Sequence, residues 1–291
     1  MFKRDRLKKP PWLKVRIPAG ENYRVVHELL KKYNLSTVCQ EARCPNIAEC
    51  WNRKSATIMI LGKVCTRACR FCAVATGDPG GKIDVHEPAN AAEVIHKFGL
   101  RYVVITSVDR DDLPDQGSGQ YAAVVTEIKK RIPETKIEVL IPDFSARSEF
   151  LRKIVEPGPD VIGHNVETVA RLTPRIRDRR CGYQKSLAVL ALIKDIDPAR
   201  TTKSGFMVGL GETDAEIVQT LADLKDRRVD IVTIGQYLQP TKKHIPVQRY
   251  YTPDEFESFK KTGQGAGIKF MVSGPLVRSS YRAGEAMKDP D

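Results

Sequence analysis

Three cysteines stand at 65, 69 and 72 in "GKVCTRACRFCAV", a C-x3-C-x2-C spacing that directly follows the apolar run "IMIL". Three more stand at 39, 44 and 50 in "VCQEARCPNIAECW", spaced C-x4-C-x5-C. Thiolates are soft ligands, suited to zinc and to iron–sulfur clusters. A structural zinc site closes with four ligands, commonly from C-x2-C pairs. Zinc at the first triplet would therefore have to borrow a distant fourth ligand. Three thiolates on a four-iron cluster instead leave one iron open. An open coordination position binds and places a small molecule, as it does in catalytic zinc sites. The second triplet, taken alone, is equally compatible with a zinc knuckle or with buried thiols.

The surrounding chain sets the context for this chemistry. It has 291 residues, enough for one α/β barrel with additions and for a substantial core without covalent staples. No run approaches the ~18 apolar residues of a membrane span. The N-terminal "MFKRDRLKKPPWLKV" is basic and lacks the apolar stretch of a secretory signal. A cytoplasmic location is therefore expected, where disulfides are uncommon. Of 7 cysteines, an odd number, six crowd into residues 39–72, which reads as metal binding before it reads as disulfides. The formal charge of +12 points to acidic partners. The basic residues are scattered, as in "IKKRIP" and "LKDRRVD", and aromatics do not interleave with them, so neither a nucleic-acid platform nor a membrane partner is expected.

The elements that must hold the cysteines follow from periodicity. Residues 1–20 read as an extended basic arm, and "ENYRVVHELLKKYN" places Tyr23, Val26, Leu29 and Leu30 on one helical side. From residue 56 the pattern changes to short β-branched runs: "TIMIL", "YVVITSV", "IEVLIP", "DVIGHNV", "SGFMVGL" and "DIVTIGQYL". Amphipathic stretches at 89–98, 119–131, 146–155, 184–194 and 214–226 lie between them. Strands alternating with helices argue for parallel βα units. The fold class is α/β, a partial parallel (β/α)6 TIM-like barrel with N-terminal and C-terminal extensions; a doubly wound sheet is the rival. The corresponding division is 1–55 for the arm, helix and first cysteines, 56–240 for the core, and 241–291 for the C-terminal extension. Barrel chemistry gathers at strand C-terminal ends. Those ends carry Cys65 to Cys72, then Thr106 and Ser107, Asn165 and Glu167, Gly209 to Glu212, and Gln236.

The C-x3-C-x2-C spacing, with Phe71 before the last cysteine and the first strand before the motif, resembles the radical S-adenosylmethionine (SAM) superfamily. That resemblance implies a [4Fe-4S] cluster on Cys65, Cys69 and Cys72 whose open iron chelates SAM and whose electron cleaves it to a 5′-deoxyadenosyl radical. "GFMVGLGE" is similar to the family's G-x-I-x-G-x-x-E element near the adenine, "HNVET" to the segment reaching the ribose, and "ITSVDRDDL" lies where the SAM amino group is contacted. The implied SAM contacts are Thr106, Ser107, Asn165, Glu167, Gly209 and Gln236. "EARCPNIAECW", "KPPWLKVRIPAG", "VITSVDRDDLPD", "TKSGFMVGLGET" and "GPLVRSSYRAGE" further resemble the lipoyl synthase family, over about residues 9–285. In that family the upstream triplet holds an auxiliary [4Fe-4S] cluster with a serine as fourth ligand. The resemblance thus implies Cys39, Cys44, Cys50 and Ser280 as ligands of a sulfur-donating cluster. An alkoxide is a harder iron ligand than a thiolate, which suits a cluster meant to come apart.

The implied reaction inserts two sulfur atoms, at C6 and C8 of an octanoyl-lysine on a lipoyl carrier domain: E2 subunits of 2-oxoacid dehydrogenases, or the glycine cleavage H protein. It implies three further partners: one SAM per C–H bond, an electron donor such as flavodoxin or ferredoxin, and an iron–sulfur carrier that rebuilds the auxiliary cluster. The basic charge would suit acidic carrier domains. The chain departs from the family around "DRRCGYQKSL", where Arg180 and Cys181 replace a proline- or glycine-rich element; Cys181 matches no cluster ligand and reads as a lone, partly buried thiol. A radical SAM tRNA methylthiotransferase, the alternative enzyme, is expected to need an additional N-terminal domain and an RNA-binding module. A zinc-binding adaptor is the non-enzymatic alternative.

Overall fold

A computed structural model of the chain describes residues 7–15, 20–52 and 56–281. The N-terminal part holds α1 (Glu21–Lys32), β1 (Ser36–Thr37), α2 (Val38–Glu41) and α3 (Ile47–Asn52). The main sheet then begins with β2 (Thr57–Ile60), and β3 (Val64–Cys65) pairs with β4 (Ala75–Thr76) in a separate ladder. Strands and helices alternate from there. They run α4 (Glu87–Phe98), β5 (Tyr102–Ser107), α5 (Ser118–Arg131), β6 (Lys136–Leu140), α6 (Ser148–Val155), β7 (Val161–Gly163) and α7 (Thr173–Ile176). The series closes with α8 (Tyr183–Ile196), β8 (Thr201–Val208), α9 (Asp214–Asp226), β9 (Ile231–Gln236), α10 (Pro253–Gly265) and β10 (Phe270–Gly274). Thr213 with Glu216, and Thr252 with Glu255, form capping boxes that start α9 and α10.

Sheet order decides between barrel and doubly wound sheet. The strands lie in the order β1-β2-β5-β6-β7-β8-β9-β10, and every neighbouring pair is parallel except β1 with β2. A doubly wound sheet needs a reversal of order to place helices on both faces. Here the order never reverses, so right-handed crossovers put the connecting helices on one side. Val103, Ile105, Ile137, Val139 and Ile162 pack there against Val124, Ile128 and Leu151. Phe206, Val208, Val232 and Ile234 do the same against Leu221, Leu224 and Phe256. Residues of the other parity face inward. Lys203 Nζ donates to both Glu138 oxygens at 2.9 Å, and Tyr102 Oη donates to Glu138 at 2.6 Å. β1 and β10 occupy opposite edges, so the barrel stays open.

The six anticipated strands are all present, and the parallel series extends one further. β10 pairs with β9 inside the stretch taken from sequence as an extension. "FMVSG" is short and ends in Ser and Gly, so its pattern is weak. The short α2, α3 and α7 span too few turns to show a period. Within the N-terminal arm, Pro11–Leu13 forms a 3-10 turn, Leu13 is buried, and Trp12 Nε1 donates to Tyr251 O at 3.2 Å. Parts of the anticipated arm (1–6, 16–19) and the end of the "RSSYRAGE" stretch (282–285) lie outside the described residues. Among the described residues no helix is long and apolar enough to cross a membrane.

Candidate active site

Cys65 ends β3, and Cys69 and Cys72 follow in the loop. Backbone amides point at their sulfurs. Cys65 Sγ accepts from the N–H groups of Arg67 and Asp109, both at 3.4 Å, and Cys69 Sγ accepts from Asp178 N at 3.3 Å. The loop is tied at both ends: Thr66 N donates to Asp109 O at 3.0 Å and Arg70 N to Ile176 O at 2.8 Å. His244 Nε2 donates to Cys72 O at 2.8 Å. All three thiols are shifted away from the thiolate. Burial and then the Asp109 charge push Cys65 up to about 12. Cys69 is raised by its hydrogen bond with Cys181 and by burial, and Cys72 by burial. Cys181 is only partly buried, as anticipated, but it lies against a cluster cysteine and accepts from Arg67 Nη1 at 3.5 Å.

The residue that seats this loop is Arg67, between the first two cysteines, and sequence reading passed over it. Its guanidinium is nearly inaccessible and meets three carboxylates from two strand-following loops. The contacts are 2.8 and 2.9 Å to Asp111, 2.8 and 2.9 Å to Asp143, and 3.3 Å to Asp109. Burial alone would raise Asp143, but the Arg67 hydrogen bonds and charge hold it at about 2. Arg180, the other departure from the family pattern, reinforces this ring, with Nη1 3.2 Å from Asp111 and Nε 2.8 Å from Asp178. The signal in the sequence was the acidic "DRDD" and Asp143 at two strand ends, a negative charge that needs a buried cation.

The second triplet follows β1, on the edge where β1 pairs with the start of β2. Cys39 lies in α2, Cys44 just beyond it and Cys50 in α3. They line one pocket with Asn46, Ala56, Thr57, Arg278, Ser280 and Tyr281. Two contacts hold the C-terminal segment against them. Asn46 Nδ2 donates to Leu276 O at 2.7 Å, and Tyr281 Oη donates to Glu49 at 3.1 and 3.2 Å. Burial and then the Cys44 charge push Cys39 up to about 11, and burial raises Cys44. Among the described residues no group of three His, Cys, Asp or Glu is arranged to hold a single metal ion. The second triplet borders a pocket instead of converging on a point.

The remaining anticipated residues divide into two kinds. Glu167 is half-buried next to Asn165, with burial raising its carboxyl against the pull of Arg177 and of Asn165. Asn165 Oδ1 is buried with no hydrogen-bond partner, and it overlies Gly205. The unpartnered acceptor and the raised Glu167 carboxyl stand side by side after β7. Thr106 Oγ1 and Ser107 Oγ donate to backbone carbonyls of Leu140 and Val108, at 3.0 and 2.8 Å. Gln236 is fully buried; its amide donates to Val208 O, Tyr237 O and Arg249 O and accepts from Tyr251 N. It braces Gly209, whose φ of +98° and 2.1 Å clearance to Gln236 Nε2 exclude any side chain. Gln236 thus shapes the wall, with no free group aimed at a ligand.

This geometry has relatives. A model of the radical SAM superfamily matches residues 59–224, and one of the N-terminal domain of lipoyl synthase matches residues 1–44. Among curated proteins, lipoyl synthase of Halorhodospira halophila is 54% identical over 283 residues, covering 97% of this chain and 85% of the relative. That of Methanocella arvoryzae is 51% identical over 277 residues, covering 95% and 94%. The chain belongs to the lipoyl synthase family. Solved structures share the fold alone. SuiB of Streptococcus suis bound to its precursor peptide gives a TM-score of 0.57 at 11% identity, over 87% of this chain and 53% of that one. Methylornithine synthase (PylB) gives 0.51 at 13%, over 91% and 88%.

Membership makes this chain a sulfur-inserting radical SAM enzyme and sets aside the methylthiotransferase reading and the zinc adaptor. Its cofactors are SAM and [4Fe-4S] clusters, an auxiliary one among them. The residues present fit such groups. Amide N–H groups aimed at Cys65 and Cys69 are the donors that cluster thiolates accept and that tune them. The pocket around Cys39, Cys44 and Cys50 adds a hydroxyl, Ser280, and a guanidinium, Arg278, to the three thiols.

Proposed function

We propose that the chain converts protein-bound octanoyl-lysine to lipoyl-lysine, with Cys65, Cys69 and Cys72 as ligands of the radical-generating cluster and Cys39, Cys44, Cys50 and Ser280 as ligands of the sulfur-donating one. When bound, the first cluster and SAM supply the hydrogen-abstracting radical that unactivated C–H bonds require and that no side chain can supply. The chain's own residues place and enclose. Arg67, gripped by Asp109, Asp111 and Asp143, holds the Cys65–Cys72 loop over the barrel mouth. Asn165 and Glu167 offer the polar atoms that a ribose would satisfy. Thr106, Ser107, Gly209 and Gln236 form the wall around them. Cys39, Cys44, Cys50 and Ser280 would hold the auxiliary cluster as a source of sulfur, with the Ser280 hydroxyl as its weaker tether.

The observation that supports this reading is the meeting of Ser280 with Cys39, Cys44 and Cys50 in one pocket. A structural knuckle would have no use for a serine brought from the far end of the chain. The substrates are octanoylated lipoyl carrier domains, E2 subunits or H protein, and the +12 charge suits their acidic surfaces. A flavodoxin or ferredoxin supplies electrons, an iron–sulfur carrier rebuilds the spent cluster, and the enzyme works in the cytoplasm. The division into residues 1–55, 56–240 and 241–291 assigns sulfur donation to the two ends and radical generation to the middle.

The test is anaerobic assembly with labelled sulfide, followed by mass spectrometry of an octanoylated carrier peptide after reaction in unlabelled medium. Labelled sulfur should appear in the product, at about one product per chain. Product sulfur drawn from the medium would overturn the donor assignment.

A further inference from the structure

The C-terminal segment that carries Ser280 also carries Arg278, and the sheet makes room for it. Val277 crosses the strand ends against two glycines. A Cβ on Gly235 would stand 2.1 Å from Val277 O and 3.3 Å from Arg278 Nη1, and one on Gly274 would stand 3.1 Å from Val277 Cγ2. Val277 N donates to Gly274 O at 3.1 Å, and Arg278 Nη1 donates to Val277 O at 2.6 Å. The arginine is therefore folded back over its own peptide, on a floor that only glycine leaves clear. From the other side, the contacts of Leu276 with Asn46 and of Tyr281 with Glu49 clamp the segment to the cysteine-bearing helices. Between these two clamps the guanidinium lines the pocket of Cys39, Cys44, Cys50 and Ser280.

Arg278 is partly buried, and among the described residues no carboxylate pairs with it. It shares the pocket with the Cys39, Cys44 and Cys50 thiols and the Ser280 hydroxyl instead. A desolvated cation without an anion is costly. Arg67 gives the contrast: it is more deeply buried, and it faces three aspartates. Arg278 shares its pocket with those three thiols and that hydroxyl, and among the described residues it has no carboxylate partner. Three thiolates and an alkoxide around an iron–sulfur core would provide its counter-charge.

We propose that Arg278 is the counter-charge of the auxiliary cluster, held against it by the Gly235 and Gly274 floor, and that it stabilises the more negative, reduced state of that cluster. The inference rests on the assignment of Cys39, Cys44, Cys50 and Ser280 as ligands. A positive charge at a cluster raises its reduction potential, because reduction adds negative charge beside it.

The test uses the full chain with Cys65, Cys69 and Cys72 replaced by Ala, so that the auxiliary cluster alone is assembled and titrated, with iron counts and a spectroscopically followed redox titration. In that background Arg278→Gln should move the potential to more negative values, and Arg278→Lys should keep it near that of the parent. Loss of the cluster in the Gln variant but not in the Lys variant would equally support a charge role. An unchanged potential in Arg278→Gln with iron retained, or loss of the cluster in both variants, would overturn it. Failure of the ligand assignment is separately visible: replacing Cys39, Cys44 and Cys50 by Ala in the native chain would then leave the iron count undiminished.

Discussion

The two cysteine loops solve the same problem in different ways. The Cys65–Cys72 loop is seated by its own interior: Arg67 lies within the motif, and its three aspartates come from the next two strand ends. The Cys39–Cys50 loop has no such internal anchor. It is closed by a segment that arrives from β10, pinned through Asn46 to Leu276 and through Glu49 to Tyr281. The first site is built from adjacent βα units, which suits the permanent radical generator proposed for it. The second is closed by a strap, and the fourth donor proposed for it, Ser280, is the weak one. A site that must be dismantled and rebuilt gains from a wall that is not part of the barrel.

The largest effect that would break this comparison comes from the ligands themselves. Replacing Cys65, Cys69 or Cys72 by Ala should abolish 5′-deoxyadenosine formation. Replacing Cys39, Cys44 and Cys50 together should abolish lipoyl product and leave 5′-deoxyadenosine formation intact, as read by chromatography of both products. Lipoyl product from the triple variant would mean that the second triplet is structural.

Arg67→Ala should come next. It leaves Asp109, Asp111 and Asp143 crowded around an empty centre, a loss of about 3–5 kcal/mol for a broken buried charge network. Expected is roughly a hundredfold fall in 5′-deoxyadenosine formation, following the conversion of about 1.4 kcal/mol per tenfold and allowing for relaxation. Iron counts should fall by one cluster while the auxiliary cluster stays. Full retention of both clusters would show that the loop seats itself without the arginine.

Gly235→Ala sharpens the contrast from the other side. The new methyl would displace Val277 and, with it, Ser280, so lipoyl product should fall about tenfold, equivalent to ~1.4 kcal/mol, while 5′-deoxyadenosine formation is maintained. An equal fall in both activities would show that the strap and the barrel are one unit.

The smallest effect is a pH dependence that belongs to the barrel alone. His164 is buried, with Nδ1 donating to Ile141 O and Nε2 accepting from Ser186, each at 2.9 Å. Burial, then the Arg177 charge, lowers it from 6.5 to about 4. Its neutral form stabilises the fold fully above pH 6.5, and that contribution is lost as pH falls from 6.5 towards 4, because the unfolded chain takes up the proton first. Between pH 8 and pH 5.5 the loss is about 1.4 kcal/mol. Urea unfolding at the two pH values should show a smaller difference in His164→Gln than in the parent chain.

Much of this was legible before any coordinates. The cysteine spacings, the β-branched runs and the amphipathic stretches between them are local patterns, and local patterns survive in one dimension. They gave the six strands and the sheet's parallel sense, and they singled out the two cysteine triplets as candidate ligands. Sequence could not choose between barrel and doubly wound sheet, because that choice lies in strand order. Nor did it reveal Arg67, since an arginine between cysteines has no period, and its partners are distant in the chain. Gln236 was expected to face the cofactor because it ends a strand; its amide instead binds the backbone of Val208, Tyr237, Arg249 and Tyr251. Residue type and strand position do not say which polar groups the backbone will claim.

The sequence by itself determined which atoms can do chemistry and in what short-range order they come, because ligand type and spacing are covalent facts. Only the tertiary structure decided which of them meet. Ser280 and Cys39 become neighbours because β10 adds to β9 and turns the chain back over Gly235. Arg67 is anchored by carboxylates that parallel pairing brings to one rim. Hydrogen-bonded register and close packing set those distances, and neither is encoded in any single stretch of residues.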